Sequence, residues 1–351
     1  MKRLIIGYQL CTDSRFVQSI LRHREDISEL YFAWPGVANG RGVGAYAQEL
    51  PLWEQLDRMR SDLRLISGAG LGMNLLLNAN CYGAESLSRN FYQRIGDLVE
   101  NLGAEFGLTS VTTTSPVIAR FVKQNFPQLE VRASVNMEIG TREGVEYLAD
   151  VMDGFYAQRE LNRDFEALRA FSGICRSMGK KVYLLVNSGC LNHCSARQFH
   201  DNLVSHESEM MKMDNAYDFG GACRSFLSDA GRRRRILSLS NWIRPEDLHH
   251  YEEVADGFKL ATRVSRNPEM ILEAYAAGRC SGNLLRLMEP DFSSVFWPQV
   301  LSGSRLPGDF FERRCFCGGS CSDCGYCLDA FGQAVETLGE TCCAESRTEN
   351  G

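Results

Sequence analysis

The sequence predicts a closed parallel (β/α)8 barrel, TIM-like, with a cysteine-rich C-terminal metal-binding tail. Three observations predict it. Eight short apolar runs alternate with amphipathic helices between Leu4 and Ala276, polar residues stand just after most of those runs, and a dense cysteine run follows the last helix. Parallel strands joined by helices are covered on both faces, so they read as continuous apolar runs. Eight such units match a barrel; a doubly wound open sheet is the alternative, because periodicity does not show closure.

Leu4 to Tyr8 reads as the first strand and Ser14 to Arg24 as a helix with Ser14 near its start. Leu30 to Ala33 is the second strand. It ends at Trp34-Pro35-Gly36 and a glycine-rich loop with Asn39, Gly40, Arg41, Gly42 and Gly44. That loop lacks the spacing of a phosphate or dinucleotide fingerprint and reads as an active-site loop. A helix is expected over Tyr46 to Met59, a third strand over Asn74 to Cys81 and a helix over Phe91 to Leu102. The fourth strand, Leu108 to Val111, leads into Ser115-Pro116, a cap followed by a first-turn proline. Leu129 to Val135, Gly154 to Ala157, Val182 to Val186 and Gly257 to Leu260 complete the strands. The intervening helices fall over Gly144 to Met152, Phe165 to Met178 and Pro245 to Tyr251, and a last one runs from Pro268 to Ala276.

At 351 residues the chain is long enough for one large barrel. A hydrophobic fraction of 44% and a charged fraction of 23% are those of a soluble globular protein. No apolar stretch approaches membrane-spanning length and no leader is visible, so a cytoplasmic protein without membrane contact is expected. Net charge of −6 argues against general nucleic-acid binding; the block Arg232 to Arg235 is the local exception and reads as a solvated loop, with an anion or RNA-backbone grip as the alternative. The organisation expected is a barrel over residues 1–300 with a cysteine-bearing loop at 188–235. A cysteine-rich extension over 301–335 and a disordered tail over 336–351 follow it.

Barrel active sites form where strands end. The polar residues at those positions include Asn78, Thr112, Ser134, Asn136, Arg159, Glu160, Asn187, Lys259 and Arg263. Asn78, Ser134, Asn136 and Asn187 are expected to bind substrate. Arg159, Lys259 and Arg263 are expected to hold an anionic group, since arginine grips carboxylate or phosphate in a bidentate manner. Glu160, His200 and His206 are candidates for proton transfer.

Fourteen cysteines without a secretion signal point to metal ligation rather than disulfides. Cys190, Cys194 and Cys223 stand in glycine-rich, polar turns after the seventh strand. Cys315, Cys317, Cys321, Cys324 and Cys327 form a CxCxxxCxxCxxC run, one thiolate more than a four-ligand centre takes. Cys315 is therefore expected to complete the set of Cys190, Cys194 and Cys223 around an iron–sulfur cluster. Cys317, Cys321, Cys324 and Cys327 would hold a second 4Fe–4S cluster or zinc. Cys81, at a strand end, is the reserve fourth ligand of the first set.

In these residues the chain resembles the collagenase-like peptidase U-32 family. Members carry a strand followed by a lysine-isoleucine-glutamate-glycine-arginine pattern, matched by Lys259-Leu260-Ala261-Thr262-Arg263. Arg159-Glu160-Leu161, Ala133-Ser134, Ser240 to Leu248 and the Cys190 to Cys223 loop match further pieces in order. The resemblance implies a barrel-like fold with an oxygen-sensitive 4Fe–4S cluster. It also implies oxygen-independent hydroxylation, of the kind its relatives carry out on ubiquinone precursors or RNA bases, in some cases with prephenate as hydroxyl source. Ala261 stands where the family has glutamate and the cysteine pattern is reduced, so the chain reads as a divergent member.

The function expected is thus an iron–sulfur oxidoreductase acting on a small or RNA-borne anionic substrate, with an electron-donor protein as a further partner. The alternatives are a peptidase, as the family name has it, or a non-catalytic electron-transfer partner. The chain has no Gly-x-Ser-x-Gly elbow and no His-Glu-x-x-His helix to support hydrolysis.

Overall fold

A computed structural model describes residues 3–41, 49–215, 217, 219–319, 321 and 323–339. Gly42, Gly44, the start of the helix expected from Tyr46, and Cys342 and Cys343 lie outside them. Eight parallel strands close into a barrel in chain order. They are β1 (Leu4–Gly7), β2 (Ile27–Phe32), β3 (Gly72–Leu77), β4 (Leu108–Thr113), β5 (Glu130–Ala133), β6 (Gly154–Tyr156), β7 (Lys181–Leu185) and β8 (Gly257–Leu260). Closure is made by β1 and β8, which set Ile5 opposite Lys259.

Helices α1 (Arg15–Arg22), α2 (Leu52–Gly68), α3 (Arg89–Phe106) and α4 (Pro116–Asn125) cover the first half of the barrel. In α3 the buried residues Phe91, Ile95, Val99, Leu102 and Phe106 recur at helical spacing, which lays one apolar stripe on the strands. Burial of each such side chain stabilises by roughly 1.5–3 kcal/mol. Ser88 Oγ accepts from the Phe91 amide to start α3, and Gly107, left-handed at φ 67°, ends it. Ser115 Oγ caps α4 ahead of Pro116, as its sequence predicts. α5 (Arg142–Glu146) is shorter than the expected Gly144 to Met152 helix, since the chain turns after Glu146 and buries Val151 and Met152 ahead of β6.

α6 (Phe165–Ser177) precedes β7, and α7 (Arg197–Ser205) and α8 (Ala222–Ser228) lie in the long insertion between β7 and β8. The stretch Pro245–Tyr251 is a 3-10 helix rather than an α-helix. After β8 come α9 (Pro268–Ala277), α10 (Phe310–Cys315) and α11 (Tyr326–Ala334). The short strands β9 (Gln299–Leu301) and β10 (Val335–Thr337) pair antiparallel. This ladder spans both boundaries expected from composition, tying the extension to the chain just before it and ordering Glu336 and Thr337.

The barrel interior is layered. At the strand starts Arg132 is sandwiched between carboxylates, with Nη1 2.7 Å from Glu29 and Nε 2.7 Å from Glu130. Asn74 and Ser110 also donate to Glu29, each at 2.8 Å. Above this polar layer pack Ile5, Tyr31, Leu76, Tyr156, Tyr183 and Leu185. Room for the tyrosines comes from glycines: a Cβ on Gly154 would meet the Tyr183 ring at 2.7 Å, and one on Gly7 the Tyr31 ring at 2.5 Å. No helix among the described residues is long and apolar enough to cross a membrane.

Candidate active site at the barrel mouth

Above the tyrosine layer the strand ends open on a cavity of about 50 Å3. Its lining includes Tyr31, Arg41, Asn78, Asn136, Arg159, Lys259, Arg263 and Glu289. Lys259 Nζ lies 4.0 Å from the centre of the Tyr31 ring and 4.9 Å from that of Tyr156. Burial, with repulsion from Arg263, Arg132 and Arg159, pulls its ammonium down to about 7 despite Glu29. Burial also lowers Arg263 to about 10. Arg263 Nη2 donates to Asn39 Oδ1 at 2.7 Å, which pins the β2–α2 loop over the mouth.

Arg159 is almost fully buried. One nitrogen, Nη2, donates to Asn136 Oδ1 at 2.7 Å, while Nε and Nη1 are buried with no hydrogen-bond partner. Arg41 pairs with Glu289 at 3.1 Å, and that carboxylate keeps it firmly protonated. Three guanidiniums and the Lys259 amine therefore line one small cavity with a single carboxylate, and two guanidinium nitrogens in it lack acceptors. Gly40 makes the close approach possible: a Cβ there would meet the Nδ2 atoms of Asn136 and Asn78 and the Asn78 carbonyl, each at 2.9 Å. Its amide donates to Asn78 Oδ1 at 3.1 Å.

The other residues picked out at strand ends have structural partners. Asn187 gives its whole amide to backbone: Oδ1 accepts from Ala261 N at 2.7 Å, and Nδ2 donates to the carbonyls of Ala261 and Leu287. Ser134 Oγ accepts from the Asn136 amide and caps a short 3-10 turn. Glu160 is ion-paired with Arg197 at 2.8 Å and accepts from the His193 amide. Burial opposes its ionisation, but Arg197 and that amide outweigh it and hold the carboxyl down to about 2. Glu160 thus has no proton to give at neutral pH.

His200, on α7, stands beside the Phe219 ring, and burial with the nearby Arg41 lowers its imidazole. His206 follows α7 and hydrogen-bonds Cys81 and Glu209, its Nδ1 3.1 Å from Glu209 Oε2. Asn80 N donates to Ser205 Oγ, which sets Cys81 and His206 side by side. The Gly83 amide and His206 lower the Cys81 thiol. Cys81 is thus spoken for by a histidine at the rim.

A four-thiolate centre needs four cysteine sulfurs converging on one point. Cys190 and Cys194 lie within electrostatic reach of Cys223, and burial, with their charge, raises the Cys223 thiol. Cys315 does not join them. α10 packs on the 3-10 helix at Arg159–Arg163, which turns Cys315 Sγ against Tyr251 Oη at 3.4 Å. Cys317 donates to the Arg314 carbonyl, Cys327 is half-buried near Arg314 and Arg163, and Cys321 and Cys324 are exposed. Among the described residues no three His, Cys, Asp or Glu side chains are gathered as a metal site. The first set as arranged does not fit a closed four-thiolate cluster.

Arg41, Glu289, Asp201 and Arg197 belong to the site, yet the sequence does not single them out. Arg41 sits in the glycine-rich loop without a recognisable motif, and Glu289 lies beyond the last barrel helix. Asp201 and Arg197 look like one polar helix face.

No family model matches the chain. It is 24% identical over 326 residues to the uncharacterized protease MJ1657 of Methanocaldococcus jannaschii, covering 89% of this chain and 90% of that protein. The U32 peptidase Mk0906 superposes with a TM-score of 0.52 at 18% identity, over 74% of this chain and 93% of that one, and shares the fold. A phosphoribosyl anthranilate isomerase from Thermus thermophilus superposes more loosely, with a TM-score of 0.39 at 14% identity over 79% of this chain and 97% of that one. The class is thus a TIM-type α/β barrel. Within it, this chain is similar over most of its length to proteins described as U32 peptidase and protease, in line with the resemblance of Lys259 to Arg263 and Arg159 to Leu161.

Proposed function

We propose that the chain is an enzyme whose barrel mouth binds a small substrate bearing a carboxylate or phosphate. The observation that carries this reading is the cavity itself, where Arg41, Arg159, Lys259 and Arg263 face one carboxylate, Glu289. A buried guanidinium with unpartnered nitrogens is costly, and a bidentate anion relieves that cost. In this reading Arg159 and Arg263 hold the anion, and Asn78 and Asn136 border it. Lys259, near neutral in its proton affinity, takes a proton from the bound molecule and returns it. No step runs through an iron–sulfur cluster at Cys190, Cys194 and Cys223, because Cys315 is turned against Tyr251 and does not complete that set. The relatives' names, protease and peptidase, favour a second reading in which the anion is a peptide's terminal carboxylate.

Titration calorimetry of the full chain with small mono- and dicarboxylates and phosphate monoesters tests the proposal. At least one class should bind, and Arg159→Met and Lys259→Met should each weaken it about tenfold or more. Failure of every anion to bind, or unchanged affinity in both variants, overturns it.

The tail cysteines Cys317, Cys321, Cys324 and Cys327 hold, in the same proposal, zinc or an iron–sulfur cluster with a structural role. Support comes from the sequence spacing and from two buried guanidiniums beside them. Arg163 has Nε and Nη2 without acceptors, and Arg314 feels Cys315, Cys317 and Cys327. Such cations favour thiolates.

A further inference from the structure

A second cavity, about 220 Å3, adjoins the first. Its lining includes Asn80, Asn136, Glu138, Arg197, Asp201 and Asn202. Asn136 borders both cavities, and Arg41, which lines the inner one, reaches toward Asp201.

The hydrogen-bonding demands of the two cavities are opposite. The inner one holds donors without acceptors, at Arg159 Nε and Nη1. The outer one is lined by acceptors, the carboxylate of Asp201 and the side-chain carbonyl of Asn80. Asp201 has a side chain only 7% exposed, and among the described residues it pairs with Arg41 Nη1 at 3.8 Å, beyond hydrogen-bond distance. Arg41 is committed to Glu289 at 3.1 Å. Asn80 Oδ1 is likewise buried and without a donor. Glu138 is neutralised by Arg197, which also pairs with Glu160 and is left with only Nε unpartnered. A carboxylate held at 3.8 Å from its cation on the wall of a cavity, beside a buried carbonyl oxygen without a donor, is placed to accept from a cationic donor.

We infer that the outer cavity is a subsite for an ammonium group, so that the substrate is an amino acid-like zwitterion with its anion on Arg159 and Arg263 and its amine on Asp201 and Asn80. This deepens the proposed anion site and rests on it. Its charge pattern selects a molecule that is anionic at one end and an N–H donor at the other, and disfavours dianions, whose second charge would meet Asp201.

Calorimetry on the full chain with straight-chain alkanoates of four to eight carbons, and with the same acids carrying a terminal amine, tests the subsite. The amine should tighten binding about tenfold or more at the length that spans the two cavities. Asp201→Asn should make amino and plain acids bind alike, whereas Arg159→Met should weaken both. If plain acids bind and the amine adds nothing at any length, the ammonium subsite is overturned and the anion site stands. If neither series binds, both fall. The comparison of ligands on the unaltered chain decides the matter even where Asp201→Asn fails to fold.

Discussion

A lysine Nζ held against two tyrosine rings, with three guanidiniums nearby, loses stabilisation each time it takes up a proton. Lys259 is in that position, with a proton affinity near 7 in the fold against about 10.4 in an unfolded chain. Between those values the unfolded chain binds the extra proton, so stability rises with pH across the window. Below pH 7 both states are protonated and the penalty is complete. Lys259→Met should therefore raise the melting temperature at pH 6, by a stabilisation on the order of a few kcal/mol, and the gain should fade toward pH 10. Calorimetric melting at both pH values checks this; a gain independent of pH would show that the ammonium carries no burial penalty. Lys259, Arg159 and Arg263 were legible in the sequence because each closes or follows an apolar strand. Asp201 was not: Arg41 reaches toward it from another loop, and a helix face of polar residues is ordinarily solvated.

Among the elements, the strands were the easiest to read, since their apolar runs and turn residues are local signals. What those runs concealed is the polar layer at the strand starts. Glu29 and Arg132 carry no signal that singles them out in the sequence, yet both are buried and paired. Removing one partner of such a pair leaves an uncompensated buried charge, which costs more than the pair contributes. Arg132→Met should destabilise the chain by about 3–5 kcal/mol, read from denaturant unfolding with an unchanged slope. A loss below about 1 kcal/mol would mean that Glu29 finds relief from Asn74 and Ser110 alone. Helix ends were legible where capping is local, as at Ser115-Pro116. The expected helix to Met152 stopped early because burial of Val151 and Met152 ahead of β6 overrides local propensity.

For the whole molecule, the C-terminal extension is fastened by the β9–β10 ladder and by α10, whose Phe311 packs edge-on to Tyr251 and Phe165. A metal on the tail cysteines would add to that fastening. Elemental analysis of the purified full chain should find zinc or iron in a fixed ratio to protein. Joint replacement of Cys317, Cys321, Cys324 and Cys327 by serine should remove it and expose the extension to proteolysis while the barrel melts as before. Metal retained after that replacement would place it elsewhere. By itself the sequence determined the barrel, through eight local repeats of strand and helix, and it picked out the cationic strand ends and the cysteine runs. Only the tertiary structure decided which polar groups face one another. Arg41 meets Glu289 across 248 positions, Asn187 is consumed by the Ala261 and Leu287 backbone, and Cys315 turns toward Tyr251 instead of Cys190. Local periodicity sets where a strand ends, but side-chain partners at the mouth arrive from distant loops, and hydrogen bonding between them leaves no periodic trace in the chain.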